Sequence, residues 1–230
     1  GTLWSAPNYE HMAVQQKSWL DAQEVQGPTL ELSSEWLAVG HIDEIFLAVP
    51  STTLPGTWKY VLASPDMAIA ALQELATQGQ GQRIVFAGRE TETTVSELLA
   101  NEELMSYNTL AQARVDMVRL RLMEEIGLSE DDFLEVPVMM EPLWYQGWDM
   151  GIALNPGIQN LVVADVALFV PDPEGPNGVW KAQTQASLAE LGHTLHFVDV
   201  FDSYHLLMGE AHCGTNVERD PFESIWWEEK

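Results

Sequence analysis

Bases are scarce in this sequence: ten lysines and arginines stand against 35 aspartates and glutamates, a formal net charge of −25. So negative a surface repels nucleic-acid phosphates and anionic lipid, so neither is an expected partner, and it attracts cationic ligands. A solvated acidic coat and a docking surface for a basic protein both fit that charge. Cysteine is scarcer still, with Cys213 alone in 230 residues. No intrachain disulfide can form, and the lone thiol fits a reducing compartment, so a cytoplasmic location is expected. No run of 18 apolar residues occurs, so no helical membrane span is expected. The opening GTLWSAPNYE lacks the basic-then-apolar plan of a signal peptide, and so abrupt a start leaves room for upstream sequence. CxxC, HExxH and EF-hand patterns are missing, so no metal site is expected.

What is present is a globular composition, 46% hydrophobic, with helix and strand signals in alternation. Apolar spacing predicts a helix over HMAVQQKSWLDAQEV, and PTLELS reads as a short strand. IFLAVP and KYVLASP form an expected hairpin. DMAIAALQELATQG is a helix capped by Asp66 and ended by Gly79, and RIVFAG is a buried strand. Two helices follow between Thr94 and Gly127, the second with a stripe at Leu110, Val115, Val118, Leu122 and Ile126. DMGIALN, NLVVAD, VALFVP and HTLHFVDV read as strands, and VWKAQTQASLAELG as the last long helix. No linker divides the chain. Paired strands followed by a helix recur, which indicates an α/β or α+β fold of repeated small sheet units.

Two stretches carry chemistry. In GEAHCGTN, Cys213 stands among polar residues, where an inert buried cysteine would favour apolar neighbours. A thiolate nucleophile and a packed small hydrophobe both remain open readings. Gly214 beside it permits an unusual backbone conformation and a close substrate approach. In VGHIDE, His41 and Asp43 are two residues apart, so in an extended segment both side chains share one face. His212 adjoins the thiol, but strand neighbours point to opposite faces, so it is not expected to be the thiol's base. His196 and His205 read as structural residues in strands, and Trp226 and Trp227 as packing.

These motifs resemble the C-terminal part of the protein-arginine deiminases. The resemblance runs through VGHIDE, KYVLASP, EEIGLSEDDFLEVPVMM, NLVVAD, PDPEGP and YHLLMGEAHCGTNVERDPFESIWW. It implies a pentein-type α/β propeller of ββαβ modules. Residues 1–230 would be the C-terminal portion of the catalytic domain and supply about three of five modules. It implies hydrolysis of peptidyl-arginine to peptidyl-citrulline and ammonia through a covalent thiouronium intermediate. In that scheme Cys213 is the nucleophile, His41 the general acid/base, and Asp43 the carboxylate that binds the guanidinium.

The family pattern has a second aspartate and a backbone-binding arginine upstream of the part represented here, so upstream sequence of the same enzyme is the expected partner that completes the site. No cofactor is required by the residues. The resemblance brings in calcium, held in animal members mostly by upstream acids, and Trp4 stands where their pattern has an acidic ligand. Leu207 stands where several relatives carry an arginine at the site mouth. Three alternatives stand beside it: a pentein hydrolase of free arginine or agmatine, a non-catalytic acidic module for basic proteins, and a cysteine protease. The protease is least favoured, because a carboxylate near His41 suits a cation better than an acyl transition state.

Overall fold

The structure is a computed structural model that describes residues 12–24, 27, 29–145 and 147–218. The opening ten residues with Trp4, the closing stretch with Trp226 and Trp227, and Pro28 of PTLELS lie outside the described residues. Along the chain run α1 (Val14–Asp21), β1 (Phe46–Pro50), β2 (Trp58–Ser64), α2 (Pro65–Thr77), β3 (Ile84–Val85) and β4 (Thr93–Thr94). Then come α3 (Val95–Ala100), α4 (Glu102–Ile126), β5 (Phe133–Pro137), β6 (Met140–Tyr145) and β7 (Trp148–Ala153). β8 (Val162–Ala164), β9 (Ala167–Pro171), α5 (Val179–Leu188) and β10 (Thr194–Val198) complete the order.

The architecture is mixed α/β with small open sheets. In one, β1 and β2 form the expected hairpin, Phe46 opposite Leu62, and β5 returns parallel to β2 after the helices. In another, β8 and β9 are antiparallel and β10 returns parallel to β9 after α5. Each is a hairpin, a helical crossover and a parallel strand, the repeated unit that the alternating signals imply. β3–β4 and β6–β7 are two-stranded antiparallel pairs.

Local rules explain the helix ends. Ser64, not Asp66, caps α2: its Oγ accepts the Met67 N–H at 3.2 Å, and Pro65 opens the helix without needing a partner. Thr94 and Glu97 make a reciprocal capping box on α3, and Asn101 caps α4. Gly127, at φ +74°, ends α4 in the left-handed conformation.

Three expectations need correction, while the first helix holds over a shorter span. The buried stripe of α4 is Leu104, Ala111, Val115, Val118 and Leu122, while Leu110 and Ile126 are about half exposed. Leu110 lies one residue, about 100°, off that stripe. α1 exists but buries none of its residues; polar contacts hold it, with Asp21 Oδ1 accepting the Thr29 N–H and hydroxyl at 2.8 Å each. Residues 29–34 run without strand pairing, although Leu30 and Leu32 pack on the core. RIVFAG is a strand for two residues only, because buried Phe86 turns to φ +59° and gives its N–H to Glu174 O.

Candidate active site

The site forms where three loops meet. The first is the VGHIDE segment, the second NPGIQN at residues 155–160, the third the turn over 211–214. Ile42–Glu44 is a 3-10 turn, not the extended segment expected, because the Glu44 carboxylate reaches back 2.7 Å to accept the His41 N–H. At three residues per turn, positions two apart diverge by about 240°, so sharing one face is not what aligns His41 and Asp43.

The middle loop is buried and polar: Asn155, Gln159 and Asn160 are at most 1% exposed. Gln159 Nε2 donates to Glu44 O at 2.6 Å and Asn160 Nδ2 reaches Asp43 O at 3.5 Å, fixing the first loop. Asn160 Oδ1 accepts the main-chain N–H groups of His212 and Cys213 at 3.0 and 3.1 Å, fixing the third. One asparagine therefore sets two loops against each other. A pocket lined by Glu44, Met140, Gln159, Asn160, His205 and Glu210 opens beside the thiol.

Cys213 Sγ lies 3.9 Å from Asp43 Oδ2, its S–H directed at the carboxylate, although 170 residues separate them. Asn160 Nδ2 donates to the sulfur at 3.2 Å. Partial burial pushes the thiol pKa up; the Glu210 N–H pulls it down, the Asp43 charge raises it, and the Asn160 amide lowers it. Burial and the neighbouring Asp43 push the Glu44 carboxyl up to about 7. At rest this is a protonated thiol beside two acids, a site that gains from a cation.

The histidines fall otherwise than expected. His212 Nδ1 lies 2.7 Å from Asp43 Oδ2, the oxygen that the thiol also faces. Residues 211–214 form a turn, not a strand, so the opposite-faces argument fails there. His41 is exposed, and among the described residues no hydrogen bond joins its ring to Asp43 or Cys213. His196 lies in β10 as expected, but His205 belongs to a 3-10 turn, Leu207 beside it being 77% exposed. Gly214 does not use the left-handed backbone; its missing Cβ makes room for the Tyr204 ring.

A family model described as Protein-arginine deiminase (PAD) matches residues 1–228. The chain belongs to the protein-arginine deiminase family. Protein-arginine deiminase type-1 of Homo sapiens is 37% identical over 233 residues, covering 99% of this chain and 34% of its own length. Type-3 of Rattus norvegicus is 36% identical over 220 residues, with coverage of 92% and 32%. Type-4 of Mus musculus is 34% identical over 223 residues, with coverage of 94% and 33%. The chain thus spans about a third of the length of these protein-arginine deiminases.

Among the described residues no three His, Cys, Asp or Glu side chains converge to hold a metal ion. Glu174, Asp199 and Asp202 do gather, but around the Arg89 guanidinium, at 2.6, 2.7 and 2.7 Å. No helix among the described residues is long and apolar enough to cross a membrane.

Proposed function

We propose that this protein belongs to an enzyme that hydrolyses peptidyl-arginine to peptidyl-citrulline and ammonia, with Cys213 as nucleophile. The observation that carries the reading is the meeting of the Cys213 thiol and the Asp43 carboxylate at 3.9 Å in a chain of this family. The two hairpin–helix–strand units support a pentein-type propeller of which residues 1–230, the C-terminal part of a catalytic domain, supply about three of five modules. An aspartate from upstream sequence completes the guanidinium clamp in this reading, and an upstream arginine holds the substrate backbone.

The chemistry follows from charge. A guanidinium is a resonance-stabilised cation and a poor electrophile, so it must be held. Asp43 accepts its N–H groups and fixes its pose. Burial, with the Asp43 and Glu44 charges added to it, keeps the thiol protonated; the positive charge of the substrate offsets those charges and favours the thiolate. The thiolate attacks the central carbon; His41 protonates the departing nitrogen, which leaves as ammonia. Water, deprotonated by His41, then attacks the thiouronium carbon, the C–S bond breaks, and citrulline departs with Cys213 regenerated. The acidic surface suits basic protein substrates.

The Asp43–His212 contact favours a second reading for the proton alone, in which His212 is the acid/base. Mass spectrometry of an arginine peptide treated with the full gene product tests the reaction. Exchange of the guanidine =NH for oxygen in an intact peptide supports deimination; backbone cleavage, or turnover of free arginine alone, overturns it. His41→Ala is expected to lower kcat by about 10²-fold or more, and His212→Ala by less. The reverse ranking assigns the proton to His212.

A further inference from the structure

Glu210 is 6% exposed, and one carboxylate oxygen makes all its hydrogen bonds. Oε1 accepts the Gly157 N–H at 3.1 Å and faces His205 Nδ1 at 2.7 Å, while Oε2 is buried without a partner among the described residues. His205 Nε2 faces the Leu154 carbonyl oxygen at 3.3 Å, so both ring nitrogens meet acceptors. The ring also leans on Phe201, centroids 5.0 Å apart. Together the pair joins the 155–160 loop to the 211–214 turn. Both loops deliver a donor to the thiol: Asn160 Nδ2 from one, the Glu210 main-chain N–H from the other. The Glu210 carbonyl in turn accepts the Gly214 N–H at 3.1 Å.

We propose that Glu210, oriented by His205, is a positioning residue that aims both donors at the Cys213 sulfur. The proposal rests on the reading of Cys213 as nucleophile, since donors to the sulfur favour the thiolate. Shape and charge separate cleanly here. Glu210→Gln keeps the accepting oxygen and loses the charge, whereas Glu210→Asp keeps the charge on a stem one methylene too short to reach Gly157. Glu141, the other carboxyl under the influence of His205, is untouched in both.

The test is the pH dependence of iodoacetamide alkylation, read at the Cys213 peptide in the full gene product. Glu210→Ala is expected to move the profile upward by about one pH unit, about tenfold slower at neutral pH. Glu210→Gln should stay within about threefold of the parent. Where Glu210→Ala does not fold, Glu210→Asp carries the test with the same upward shift. A Glu210→Ala or Glu210→Asp profile that superimposes on the parent overturns the proposal, as does a Gln variant shifted as far as Ala. Deimination surviving Cys213→Ala would instead overturn the nucleophile reading, leaving the alkylation profiles as they are.

Discussion

Asn160 grips Cys213 twice with one amide group: Nδ2 donates to Sγ at 3.2 Å and Oδ1 accepts the Cys213 N–H at 3.1 Å. The first contact favours the thiolate over the thiol; the second fixes the main chain that carries it. Asn160 is itself 1% exposed, so both contacts are made by an amide held in place by its packing.

Two substitutions separate those roles. Asn160→Ala takes away the acceptor of the Cys213 N–H and the side-chain donor to the sulfur. It is expected to cost about 1–3 kcal/mol of stability and to slow thiol alkylation about tenfold at neutral pH. Asn160→Asp keeps the shape but sets an anion against the sulfur, so the thiol is pushed further up. Alkylation should then be slower than in the Ala variant while the Tm falls less. Alkylation profiles beside thermal melts check this, and an Asp variant alkylated as fast as the parent contradicts it.

Gly214 gives a second handle on the same turn. A Cβ there would collide with the Tyr204 ring, and overpacking of that kind costs about 1–3 kcal/mol. Gly214→Ala is therefore expected to lower the Tm and, by displacing the turn, turnover as well. In a Tyr204→Ala background the same substitution should be nearly neutral. Thermal melts across this double-mutant cycle measure the coupling, and additive losses would show that the ring is not the obstacle.

Much of this was legible in the residues, and what was not has physical causes. The hairpin of β1 and β2 and the helix ending at Gly127 follow from apolar runs and turn residues, which act locally. Cys213 and Asp43 stood out because a lone thiol and an acid beside a histidine are chemically conspicuous, and they meet. Asn160 and Glu210 escaped notice because each looks ordinary in sequence; their burial and their reach across 53 residues exist only in the fold. Polar residues packed into NPGIQN between apolar strands were the available signal. Setting His212 on the opposite face from the thiol used a strand rule where the chain turns, and the shared face of His41 and Asp43 used an extended geometry where the Glu44 carboxylate curls the chain into a 3-10 turn.

That carboxylate also makes stability depend on pH. Burial holds the Glu44 carboxyl at about 7 in the folded protein, against 4.5 as its ordinary value, and the charge of Asp43 adds to the rise. Between those values the folded state binds the proton more tightly than the unfolded chain. Stability from this group is therefore full below about pH 4.5, falls as pH rises through the window, and is lost above 7, a swing of about 3 kcal/mol. Glu44→Gln keeps an oxygen for the His41 N–H and has no proton to lose. Its Tm relative to the parent should climb with pH, from little difference near pH 4.5 to several degrees at pH 8. Melts of the two proteins at matched pH cancel the contribution of acids remote from Glu44, and parallel Tm curves would show that its carboxyl is not raised by folding.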